Sequence, residues 1–101
     1  MIDGIVSGRL HGAPAEGSGQ GGSRYVTARL KATVADGDTP IVNVIAFATP
    51  VREALLDLDD GESVALSGSL TPKVWTDRHG DARPALDMVA HALLTAHRAR
   101  D

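Results

Sequence analysis

The sequence contains no cysteine, which excludes disulfides, thiolate metal sites and cysteine nucleophiles. Aromatic side chains are almost as scarce: Tyr25, Phe47 and Trp75 are the only three in the chain. Basic residues do not predominate, since ten Lys and Arg against thirteen Asp and Glu leave a net charge of −3, so a whole-protein cationic footprint for nucleic acid is missing. No apolar run approaches the roughly 20 residues that span a bilayer, and no basic segment followed by an apolar stretch opens the chain. The expectation is a soluble, unsecreted protein with no membrane partner. Nucleophile-elbow and Gly-Lys-Ser/Thr phosphate-loop patterns are also lacking. Enzymatic chemistry has no foothold, and neither cofactor nor metal is expected.

What is present fits one domain over residues 1–101. A length of 101 residues allows a single core, and 43% hydrophobic with 23% charged residues is ordinary globular composition. A domain this small buries only about two-thirds of its unfolded surface, so association between copies would add stability. Charge is unevenly spread: residues 36–62 carry Arg52 alone against Asp36, Asp38, Glu53, Asp57, Asp59, Asp60 and Glu62. The remainder is net basic, so an acidic edge can coexist with a basic face.

Alternation in Ile2, Gly4, Val6, Gly8 and Leu10 predicts a first strand to His11. Gly12 to Ser23 holds five glycines and Pro14, and reads as a mobile loop over residues 12–23. Arg24 to Ala35 alternates again, with Val26, Ala28, Leu30, Ala32 and Val34 opposite Tyr25, Thr27, Arg29, Lys31 and Thr33. The Asp36–Pro40 segment suggests a hairpin into a third strand, Ile41 to Ala48. Thr49 as cap and Pro50 in the first turn open a short helix to Leu58, with Val51, Ala54, Leu55 and Leu58 as its apolar stripe.

After Gly61, Val64, Leu66, Gly68 and Leu70 point one way, and Ala65, Ser67, Ser69, Thr71, Lys73 and Trp75 the other, with an edge or bend expected at Pro72. Asp77 to Asp81 reads as a hairpin tip. Ala85 to Ala96 follows as a strand whose end fits a helix equally well, because Leu86, Met88, Ala90, Ala92 and Leu94 share a strand face but Ala, Leu and Met are good helix formers. Three strands, a helix and two strands is the element order of an all-β, five-stranded Greek-key barrel of the OB type.

Several local patterns lack the context their chemistry needs. Gly17, Gly19 and Gly22 match G-x-G-x-x-G, but a strand follows them instead of a helix N-terminus. His91 and His97 are six apart, and Asp87 would share a face with His91 only on a helix. Asp57, Asp59, Asp60 and Glu62 form a solvated acidic turn without the spacing of a calcium loop.

One arrangement stands above this background. Arg29, Lys31, Asn43, Phe47, Lys73 and Trp75 all fall opposite the aliphatic faces of their strands. Cations that track phosphates and rings that accept unstacked bases are the two ingredients of single-strand binding. The plainer reading is that Phe47 is core and Trp75 covers an edge.

The stretches Val44-Ile45-Ala46-Phe47, Gly61-Glu62-Ser63-Val64-Ala65-Leu66-Ser67-Gly68-Ser69-Leu70 and Lys73 to Arg83 resemble bacterial single-stranded DNA-binding proteins. That family shows a phenylalanine-ended strand, an amphipathic helix, K-G-x-x-V-x-V-x-G-x-L and then W-x-D-x-x-G-x-x-R. Ile5 to Leu10 with Pro14 resembles its first strand, so the likeness spans nearly the whole chain. The resemblance implies an OB-fold that binds single-stranded DNA or RNA in replication, repair or recombination. Phe47 and Trp75 would stack bases, and Arg9, Arg29, Lys31 and Lys73, with Asn43 beside them, would contact the backbone. It also implies a homodimer or homotetramer, in the cytoplasm and nucleoid of a bacterium or encoded by a phage or plasmid.

Departures from the family pattern imply weaker binding or another partner. Ile41 stands where the family has a tryptophan, Asp36 to Pro40 lacks an aromatic, and Asp60 replaces the lysine before Gly61. The ending His97-Arg98-Ala99-Arg100-Asp101 is not the acidic, hydrophobic-tipped tail of that family. In this the chain resembles the dimeric primosomal replication protein N group as well. The alternative function is thus an OB-type protein-interaction module with weak or no affinity for nucleic acid.

Overall fold

The computed structural model describes residues 2–32 and 40–95; the expected Asp36–Pro40 hairpin lies mostly outside them. The elements are β1 (Ile2–Leu10), β2 (Ala15–Ser18), β3 (Arg24–Ala32), β4 (Ile41–Ala46), α1 (Thr49–Leu56), β5 (Ser63–Thr76) and β6 (Ala82–Thr95). Hydrogen bonding runs β1-β5-β6-β4-β3, and β1 pairs again with β3, so five strands close into a ring. All pairings are antiparallel except β4 with β6. This is the expected five-stranded barrel with one helix between its third and fourth strands.

Period-two alternation builds the interior. Leu10, Val26, Leu30, Val42, Val44, Leu66 and Met88 are buried together, each on the inward parity of its strand. Val51 and Leu55 of α1 and Leu58 just after it join the same cluster, so the helix covers the barrel core as its apolar stripe requires. A side chain at Gly8 would put its Cβ 2.1 Å from the Lys31 carbonyl oxygen. That close approach lets β1, still paired with β5 through Gly8 and Arg9, also complete the ring against β3, where Gly8, Arg9 and Leu10 pair with Ala32, Lys31 and Leu30.

Three local expectations are corrected. Residues 12–23 contain β2, which pairs Ala15 to Ser18 against Thr27 to Arg24, followed by a 3₁₀ turn at Gln20–Gly22. The glycine at position 17 makes room there for the Tyr25 ring, 2.7 Å from where a Cβ would sit. Second, the helix cap is Ala48, without a side-chain bond, and the Thr49 hydroxyl instead accepts from Arg52 Nη2 at 2.9 Å. Third, Ala82–Thr95 is strand throughout, but its phase breaks. Ser67 pairs with Ala92 and Gly68 with Ala90, leaving His91 as an extra residue, a β-bulge. Beyond it Leu93 packs on the core and Leu94 is 58% exposed, the reverse of the simple alternation.

Candidate nucleic-acid interface

β5 stays regular through Pro72, which pairs with Leu86, and extends as an arm paired with the start of β6. The arm ends in a turn where Asp77 Oδ1 accepts from the backbone N–H groups of His79 and Asp81, at 2.9 and 3.0 Å, and where Gly80 takes a φ of +80°. The Lys73 and Trp75 side chains on this arm therefore keep the outward parity of Ser69 and Thr71.

Cross-strand register assembles the outer face in rows. Arg9 pairs with Lys31, Lys31 with Ile41, Ile41 with Ala85, and Ala85 with Lys73. In the next row Arg29 pairs with Asn43, Asn43 with Asp87, and Asp87 with Thr71. A groove of about 560 Å³ spans parts of both rows, and Arg29, Asn43, Lys73 and Trp75 line it together with Ile41, Val74 and Ala85. Four of the seven residues expected from the sequence thus meet at one concavity. Trp75 is 50% exposed and its neighbour Val74 69% exposed, so the indole is open to a flat ligand.

The other three are arranged around it. Lys31 is an exposed residue in the row that Lys73 ends, and Arg9 is its backbone partner at the seam between β1 and β3. Phe47 stands just beyond the far end of β4, 52% exposed, away from Trp75, so the plainer reading of it as core is ruled out. Its carbonyl accepts from Arg52 Nε at 2.9 Å, which ties the strand end to α1.

The structure adds Asp87, which sequence reading did not place at the site. Lys73 Nζ lies 2.8 Å from Asp87 Oδ2, and Asn43 Nδ2 donates to Asp87 Oδ1 at 3.3 Å. The hydrogen bond from Lys73, chiefly, holds the Asp87 carboxyl below its ordinary range; Asn43 and the Lys73 charge act in the same direction, and desolvation opposes them. Asp87 also lines a second trough, of about 630 Å³, which passes between Arg29, Asn43 and Thr71. Its role was hidden because the helix-or-strand ambiguity of Ala85 to Ala96 left its face undefined.

Searches over the fold find crystal structures of single-stranded DNA-binding proteins. The small single-stranded DNA-binding protein of Streptomyces coelicolor superposes with a TM-score of 0.75 at 24% identity, over 99% of this chain and 97% of that one. The chain has the OB-fold of single-stranded DNA-binding proteins. The mitochondrial single-stranded DNA-binding protein Rim1 of S. cerevisiae shares this OB-fold too, with a TM-score of 0.67 at 20% identity over 95% of this chain and 97% of that one. A second crystal form of Rim1 gives 0.71 at 16% identity. No family model and no curated protein matches the sequence, so the likeness within this OB-fold group is one of structure.

Proposed function

We propose that the chain is a non-catalytic single-stranded DNA-binding protein of the cytoplasm and nucleoid, acting in replication, repair or recombination. Bases stack on Trp75 and Phe47, while Arg9, Arg29, Lys31 and Lys73 meet phosphates and Asn43 adds a polar contact. The observation that carries this reading is the groove in which Arg29, Asn43, Lys73 and Trp75, from three different strands, come together. A cationic groove beside an exposed ring is what a sequence-tolerant single-strand binder needs. Proteins of the same fold that bind single-stranded DNA support the choice of ligand.

The Lys73–Asp87 ion pair favours a second reading, a protein-interaction module with little affinity for nucleic acid, because it sets a carboxylate against one of the site's cations. One titration separates the two. With poly-dT at low salt, the fluorescence of Trp75, the only tryptophan, should be quenched at saturation. Base stacking on an aromatic contributes about 1–3 kcal/mol, so Trp75→Ala should weaken binding of a labelled oligonucleotide by roughly one to two orders of magnitude, and Phe47→Ala should weaken it as well. Equally weak binding by wild type and Trp75→Ala, without quenching, would replace this reading with the second. A poly-U arm in the same titration reports DNA against RNA.

A further inference from the structure

We infer that Asp87 makes the site base-selective: its carboxylate accepts from the adjacent N1–H and N2–H₂ donors of guanine, which becomes the preferred base at one position of the bound strand. The inference rests on the proposed single-strand binding and adds a specificity to it. Among the residues that bring nucleic-acid contacts to this face, Arg29, Lys31 and Lys73 are donors only, and Asn43 spends an N–H on Asp87. Asp87 is the anionic acceptor in their midst, beside the neutral Asn43 carbonyl oxygen, with its side chain 41% exposed on the wall of the larger trough.

A carboxylate offers about four lone-pair sites. One on each oxygen is taken, Oδ2 by Lys73 and Oδ1 by Asn43, and those bonds fix the plane of the group. One site on each oxygen remains for a ligand, with Asn43 on β4 and Lys73 on β5 flanking the group from either side of β6. Guanine is the only common base whose pairing edge carries two adjacent donors. Cytosine and adenine offer one amino group beside a ring-nitrogen acceptor, and thymine places carbonyl oxygens on both sides of its single N–H, so each sets an acceptor against the carboxylate. Thr71 is the backbone partner of Asp87 and lies four residues before Trp75 on β5, about 13 Å along the strand. The base read by Asp87 therefore belongs to the same short stretch of strand as the one stacked on the indole.

The test is competitive binding of short dT oligomers in which one central position is dT, dG, dI, dC or dA. A bidentate pair discriminates against the wrong base, and partial exposure weakens this one, so the dG oligomer should bind about fivefold tighter than all-dT. Inosine, which lacks the 2-amino group, should lose most of that advantage. Asp87→Asn should abolish the preference and tighten binding of all-dT, because a negative charge leaves the phosphate path. Equal affinity of wild type for dG and dT oligomers, a cytosine preference, or a guanine preference that persists with dI or in Asp87→Asn would overturn the inference. If all-dT still binds and depends on Trp75, the proposed function survives that result. Absence of binding to every oligomer fells both.

Discussion

Lys73 on β5 and Asp87 on β6 are joined by an ion pair of 2.8 Å, diagonally across two paired strands, in the middle of the face that carries the other candidate contacts. Both side chains are partly exposed, so the pair contributes less than about 1 kcal/mol to stability. Its larger effect is on ligands, since a phosphate reaching Lys73 competes with a carboxylate already there. Each phosphate contact changes the log–log salt slope by about 0.7 on a single strand. Lys73→Ala should lower the slope by less than that, and Arg29→Ala by about the full amount, in titrations between low and moderate salt.

The same pair gives a pH dependence of defined sign. The folded-state pKa of Asp87 is depressed, so its contribution is present above the ordinary aspartate range and is lost as pH falls through the depressed value. Wild type should therefore lose a small increment of stability on acidification below about pH 4 that Asp87→Asn does not lose. Denaturant melts of the two proteins across that range measure the difference.

Closure of the barrel depends on Gly8. A methyl group there would overlap the Lys31 carbonyl, which is backbone and cannot swing aside. Gly8→Ala should cost at least about 2 kcal/mol in chemical denaturation. By contrast Gly19→Ala, with only a carbonyl 3.9 Å away, should be close to neutral.

Self-association as a homodimer or homotetramer is expected to use the outer surface of β1, β5 and β6. Ile5, 77% exposed, stands opposite Ser67, and Leu94, 58% exposed, stands opposite Ala65, an apolar area on a face flattened by small residues. Sedimentation at micromolar concentration should show an oligomer in wild type, and Ile5→Glu should shift it towards monomer.

β2 should be the least protected strand. Among the described residues it pairs with β3 alone, and three of its four residues are exposed, so its amides should exchange well before those of β3. Protection of Ala15 to Ser18 equal to that of Val26 to Leu30 would show the segment to be as rigid as the barrel. A bound oligonucleotide that slows exchange there would bring the segment into the site.

Much of this architecture was legible because inward and outward parity is a local property. Val26 to Ala32 and Val42 to Ala46 announce their buried faces, and with them the outward positions of Arg29, Lys31 and Asn43. The outward face of Trp75 follows from alternation alone because no extra residue interrupts β5 between Val64 and the arm. The misreadings arose where backbone geometry departs from sequence period. β2 was missed because glycine-rich composition registers entropy and not the ladder a neighbouring strand can offer, and Asp87 because its strand had an ambiguous period. The meeting of Lys73 with Asp87 needed the β5–β6 register, which no local signal carries.

The extra residue at His91 makes β6 two half-strands spliced out of phase. In the first half odd-numbered positions such as Asp87 face the groove; in the second, even-numbered ones such as Leu94 face solvent. The two surfaces are thereby uncoupled in their tolerance of length change. Removing His91 would leave one uninterrupted phase in which Ala90 and Leu93 stay inward and Leu94 stays outward, so both surfaces would survive the loss, whereas a deletion elsewhere in β6 would turn every residue between it and the bulge to the opposite face. A one-residue gap at this point in an alignment is consequently silent on both surfaces, and one placed a few residues earlier is a statement about binding.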